Sequence, residues 1–260
     1  MTICDFAGWA CRFYDHGLDE EYRKSLCENQ DVYEIHNGEK IICQNREGLL
    51  SNSNTFKINF NEKRGDYEIN PFILEMAKDG TKKTEITYKG NLSWTMINKK
   101  IKRLISAGLL TYSNKNKLYT TTDSGLEYLK CYYSSRRILA GFKGVEEGIN
   151  LNPRIREKLI EKIKKLKRRD SFEILAFALE LTSIPISKTR IMHDNYMEFG
   201  QLNKFLDFLI KFELLEKEED NRYKSTEPGK QFVDMVLYMF FLSLPGNHEL
   251  KQNDYIVRVA

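Results

Sequence analysis

One stretch of this chain is written twice. KTEITYKGNLSWTMINKKIKRLISAGLL begins at Lys83 and KTRIMHDNYMEFGQLNKFLDFLIKFELL at Lys188, and a single ungapped shift of 105 residues superposes them. Thr84 then meets Thr189, Ile86 meets Ile191, Asn98-Lys99 meets Asn203-Lys204, and Leu109-Leu110 meets Leu214-Leu215. Upstream, Glu68-Ile69 meets Glu173-Ile174 and Phe72 meets Phe177. Any fold argument for one copy has to serve the other, so two structural repeats are expected.

Periodicity and punctuation give the content of each repeat. In the first, Ile69, Phe72, Ile73 and Met76 form one helical face, capped by Asp66 or, with Pro71 in the first turn, by Asn70. A second helix runs from Lys83 to Lys89 and stops at Gly90. Ser93 caps a third, in which Ile97, Ile101, Leu104 and Ile105 recur at helical spacing before Gly108. LLTYSNKNKLYTTT is two β-prone runs around the turn Ser113 to Asn116, and Thr122-x-x-Gly125 opens a closing helix. The second copy repeats the order, with a hairpin around Glu218 to Asn221, Thr226-x-x-Gly229 and a long apolar helix.

The predicted fold class is mainly α with small β-hairpin wings (α+β): tandem winged helix-turn-helix domains at 63–135 and 168–244, joined by a helical linker at 136–167 and followed by a tail at 245–260. Residues 1–62 stand apart, with a helix expected around Asp19 to Leu26 and a type I′ hairpin at Asn37-Gly38. In the linker, Ile155, Leu159, Ile163 and Leu166 form an apolar stripe on a charged helix. Such a stripe must dock on its own chain or across a two-fold axis, and the second is expected, giving a homodimer with the apolar 232–244 helix as a further surface.

The two copies differ in charge. Between 81 and 120 there are nine basic residues and one acid, Glu85; between 186 and 224 there are seven basic and eight acidic. Phosphate neutralisation drives most nucleic-acid affinity, so the first copy is the expected binder of double-stranded DNA. Its third helix places Thr95, Asn98, Lys99 and Lys102 opposite the apolar stripe, where asparagine can pair two-pronged with adenine and lysine can meet phosphate or guanine. Trp94 is expected to close the core, as Phe199 holds the equivalent place in the acidic copy.

The residues KTEITYKGNLSWTMINKKIKRLISAGLL and YTTTDSGLEYLKCY resemble the archaeal winged-helix transcriptional regulators of the ArnR-like class, strongly over 66–133 and more loosely over 171–240. The resemblance implies a recognition helix from Trp94 to Ser106 and a wing tip at Ser113 to Asn116. With the charge pattern, it makes Lys83, Lys89, Ser93, Thr95, Asn98, Lys99, Lys102, Lys115, Asn116 and Lys117 the candidate DNA-binding residues. The second copy departs from the pattern where Asn91-Leu92-Ser93 becomes Tyr196-Met197-Glu198 and Gly108 becomes Glu213.

Other classes find little support. Cys4, Cys11, Cys27 and Cys43 with His16 and His36 match no zinc-knuckle spacing, so reduced thiols and no metal are expected. Nucleotide-loop, nucleophile-elbow and metalloprotease motifs are absent, and neither enzyme activity nor a cofactor is expected. The start has no basic leader and the apolar run Val236 to Leu244 is too short to span a bilayer, which predicts a cytoplasmic protein. Two other readings stand beside the DNA-binding regulator: a protein-interaction adaptor, and an effector-sensing regulator with its pocket in 1–62 or between the repeats.

Overall fold

The computed structural model describes residues 65–139, 141, 149–166 and 169–246, together with the backbone of three short strands at 34–36, 40–42 and 256–258. The chain divides into Met1–Glu62 and Lys63–Ala260. In the first unit, β1 (Glu34–His36) pairs antiparallel with β2 (Lys40–Ile42). His36 faces Lys40, leaving three residues between the strands where a two-residue turn was expected. The turn itself, the helix expected at 19–26, the four cysteines and His16 lie outside the described residues, and of His36 only the backbone is described.

The second unit holds both repeats. α1 (Asp66–Met76) is followed by α2 (Lys83–Gly90), α3 (Trp94–Ser106), β3 (Leu110–Ser113), β4 (Leu118–Thr121) and α4 (Asp123–Leu139). Then come β5 (Ile149–Leu151), α5 (Pro153–Lys164), α6 (Ser171–Leu181), β6 (Ile186–Ser187), α7 (Lys188–Asn195), α8 (Phe199–Lys211), β7 (Leu215–Lys217), β8 (Arg222–Ser225), α9 (Glu227–Leu242) and β9 (Ile256–Arg258). Two repeats of three helices, a hairpin and a closing helix give the expected α+β class.

Local chemistry accounts for most boundaries. The Ser93 hydroxyl accepts the Met96 N–H at 3.2 Å and starts α3. Thr122 accepts the Gly125 N–H at 3.1 Å to start α4, and Thr226 accepts that of Gly229 to start α9. Both glycines answer to space: a Cβ on Gly125 would lie 2.3 Å from the Leu109 carbonyl oxygen, and one on Gly229 would lie 2.3 Å from that of Leu214. Thr81 bridges to Tyr119 in the first copy as Ile186 pairs with Tyr223 in the second. α1 starts elsewhere than expected. Its N-cap is Gly65, and Pro71 sits inside the helix.

The copies share one core. Tyr67 of α1 stacks on Phe172 of α6 with ring centroids 5.4 Å apart, and Phe172 also packs on Tyr132 of α4 and Phe232 of α9. α9 packs against both α4 and α6, and its residues from Val236 to Leu242 are all buried. A helix apolar on every side needs partners on every side. The surface expected to face a second chain is therefore occupied by this one. The same correction applies to the linker stripe: Leu159 and Ile163 are buried against α6 and α9, while Ile155 and Leu166 at its ends are half-buried. Arg156 of α5 binds Asp234 of α9 at 2.9 Å and Glu180 of α6 at 2.5 Å, fixing α5 to the second copy.

Candidate nucleic-acid interface

α3 divides sharply into two faces. Ile97, Ile101 and Leu104 are buried, whereas Ser93, Thr95, Asn98, Lys99 and Lys102 are exposed. Beyond them the β3–β4 hairpin exposes Lys115, Asn116 and Lys117, the last at a φ of 56° that closes the turn.

The cations of this face fall into two groups. Asp66, at the start of α1, binds Lys100 and accepts from Arg103 at 3.0 Å. Lys89 pairs with Glu85 at 2.9 Å. That lysine and the Thr81 hydroxyl hold the Glu85 carboxyl below its ordinary range. Among the described residues, none forms an ion pair with Lys99, Lys102, Lys115 or Lys117. These four carry charge that a polyanion can use, and of the nine basic residues counted in the sequence Lys89, Lys100 and Arg103 are held by carboxylates.

Lys83 does something the sequence did not suggest. It reaches from α2 to donate to the Asn98 carbonyl oxygen at 2.9 Å, and its ammonium lies 4.2 Å from the Trp94 ring centroid. Trp94 is 52% exposed, and Phe199 is 62% exposed, so neither closes a core. The reason is position: each is the first residue of its helix, beyond the packed turns, and a lysine rather than apolar neighbours lies over the ring. The second copy repeats the cluster, with Lys188 over Phe199 at 4.7 Å and donating to Asn203. Only the 105-residue spacing shared by these three pairs foreshadowed it.

Elsewhere the second face is different. Lys102 is replaced by Asp207, Thr95 by Gly200 and Ser93 by Glu198, although Lys204 is kept at the place of Lys99. On its hairpin, Lys224 pairs with Glu216 at 3.7 Å, and Arg222 with Glu218 at 3.9 Å and also with Asp220.

Three packed helices followed by a hairpin that projects beside the third describe a known architecture, and the comparison with protein families agrees. The winged helix-turn-helix family matches residues 63–140 and again 168–240. The chain belongs to the winged helix-turn-helix family. The closing helix α4 of the first copy runs to Leu139. No curated protein and no solved structure matches the chain.

Among the described residues no helix is long and apolar enough to cross a membrane, and no group of histidine, cysteine and carboxylate side chains could hold a metal ion.

Proposed function

We propose that this winged-helix protein is a cytoplasmic transcriptional regulator that reads duplex DNA with its first copy, as the resemblance to ArnR-like regulators implies. α3 enters the major groove and the wing rests on the backbone. The observation that carries this reading is a group of four exposed lysines without an ion-pair partner among the described residues, Lys99 and Lys102 on α3 and Lys115 and Lys117 on the wing. Thr95 and Asn98 lie among them as the groups able to address base edges. Ser93 caps α3 and Asn116 tops the wing, so both sit at the rim of this surface. Lys83 acts through Asn98, which it orients, and Lys89 is neutralised by Glu85.

A salt series with duplex DNA tests the proposal. Each neutralised phosphate contributes about 0.9 to the slope of log affinity against log salt, so four lysines predict a slope of about −3 to −4. Binding that is weak at every salt concentration would instead favour the adaptor reading.

A further inference from the structure

Equivalent positions of the two copies touch each other. Tyr67 and Phe172, 105 residues apart, stack with their ring planes 3° from parallel. Gly65 and Asp170, again equivalents, are so close that a Cβ on the glycine would lie 2.8 Å from the aspartate Cβ. A contact away from this point recurs with the roles exchanged. Phe172 packs on Tyr132 at 6.0 Å, and the Tyr67 hydroxyl donates to the carbonyl of Val236 at 3.4 Å. Val236 is the counterpart of Tyr132 when the closing helices are matched from Thr122 and Thr226.

A residue that meets its own equivalent, and contacts that recur with roles exchanged, mark an isologous interface about a two-fold axis. The closing helices α4 and α9 pack on each other within that interface. The two winged helices are therefore paired inside one chain as two chains of a homodimer would be paired.

The pairing is two-fold in its contacts but not in what it presents. A true homodimer offers two identical reading surfaces and so selects a palindrome. Here one surface offers Thr95, Lys99 and Lys102 and the other Gly200, Lys204 and Asp207 at the same places. One wing keeps Lys115 and Lys117 without ion-pair partners among the described residues, and the other pairs Lys224 and Arg222 with its own carboxylates.

We infer that a single chain is the complete reading unit and that its target is a duplex segment without two-fold symmetry, bound by one chain. This rests on the DNA-reading role proposed above and adds the symmetry of the target and the stoichiometry of the complex. The second copy supplies the partner that a single winged helix would otherwise recruit from another chain, and the first supplies the phosphate contacts.

The experiment uses the full chain. Duplexes are enriched from a random library, the enriched motif is sequenced, and the mass of the complex on that duplex is measured by native mass spectrometry. A non-palindromic motif in a one-to-one complex is the expected result, with a binding curve free of cooperativity. A palindromic motif, or two chains on each enriched motif, overturns the inference while leaving DNA reading intact. Failure to enrich any duplex, together with no binding at low salt, overturns the DNA-reading role and this inference with it.

Discussion

The Asp170 carboxylate accepts the backbone N–H of Tyr67 at 3.2 Å, although the two residues belong to different copies and lie 103 positions apart. The same carboxylate accepts from the Glu173 N–H at 3.1 Å, and Glu173 returns the bond by accepting from the Asp170 N–H at 2.9 Å. One side chain thus satisfies N-terminal donors of α6 in its own copy and of α1 in the other. Gly65 leaves room for it.

Removing that carboxylate should loosen both copies together. Asp170→Ala loses a helix cap, worth about 1 kcal/mol, and strands the Tyr67 N–H, which costs about 1–3 kcal/mol. A total loss of about 2–4 kcal/mol is expected in urea denaturation, as one cooperative transition because the copies share a core.

The same pair sets a pH dependence. Burial pushes the Asp170 carboxyl up to about 6, and burial together with the Asp170 charge pushes Glu173 up to about 8. The folded state therefore keeps these protons at pH values where the unfolded chain has released them. Their contribution to stability is full below about pH 4 and is lost as pH rises through the folded values. Glu173→Gln keeps a capping oxygen but cannot ionise. It should gain on the order of 1–3 kcal/mol over the unmodified protein at pH 8.5 and nothing at pH 4, measured by denaturant titration at the two values.

On the exposed face, helix and wing substitutions should behave differently. Replacing Asn98, Lys99 and Lys102 with alanine should abolish preference for an enriched duplex while leaving the melting temperature unchanged, since all three are exposed. Replacing Lys115 and Lys117 with alanine should weaken binding to every sequence alike and reduce the salt slope by up to about 2. Fluorescence anisotropy on enriched and scrambled duplexes separates the two patterns.

Leu159→Asp is expected to damage the fold and not an assembly. Leu159 is 3% exposed within the single chain. An unpaired carboxylate placed there should cost more than about 3 kcal/mol. Sedimentation of the unmodified protein should already give the mass of one chain, so the variant should lose its unfolding cooperativity without any shift from dimer to monomer.

A smaller effect is expected at Glu213, which takes a left-handed φ of 56° where the first copy has Gly108 at 72°. Glu213→Gly removes a steric penalty of about 1 kcal/mol, partly offset by the greater freedom of glycine in the unfolded chain. A rise in the melting temperature of a few degrees or less is the expected outcome, and a fall would show that the Glu213 side chain contributes more than its backbone costs.

Much of this molecule was legible in its residues. The repeat, the helix and hairpin order, the caps at Ser93, Thr122 and Thr226, and the exposed side of α3 all follow from signals confined to a few neighbouring residues. A hydroxyl three residues before the N–H it caps, or apolar residues three and four apart, carry their meaning wherever the segment is placed. Tertiary structure decided what those surfaces meet. The apolar faces of α5 and α9 required burial, but periodicity is silent on whether the partner is the same chain, and the packing against α4 and α6 gave the answer. Charge counts were equally blind to pairing: Lys100 and Arg103 stood among the nine basic residues counted for the first copy, and α1 brings Asp66 against them. Trp94 looked like core until its place at the end of α3 left it beside Lys83. Local propensity is short-ranged, whereas burial and ion pairing depend on distances that only the packed chain sets.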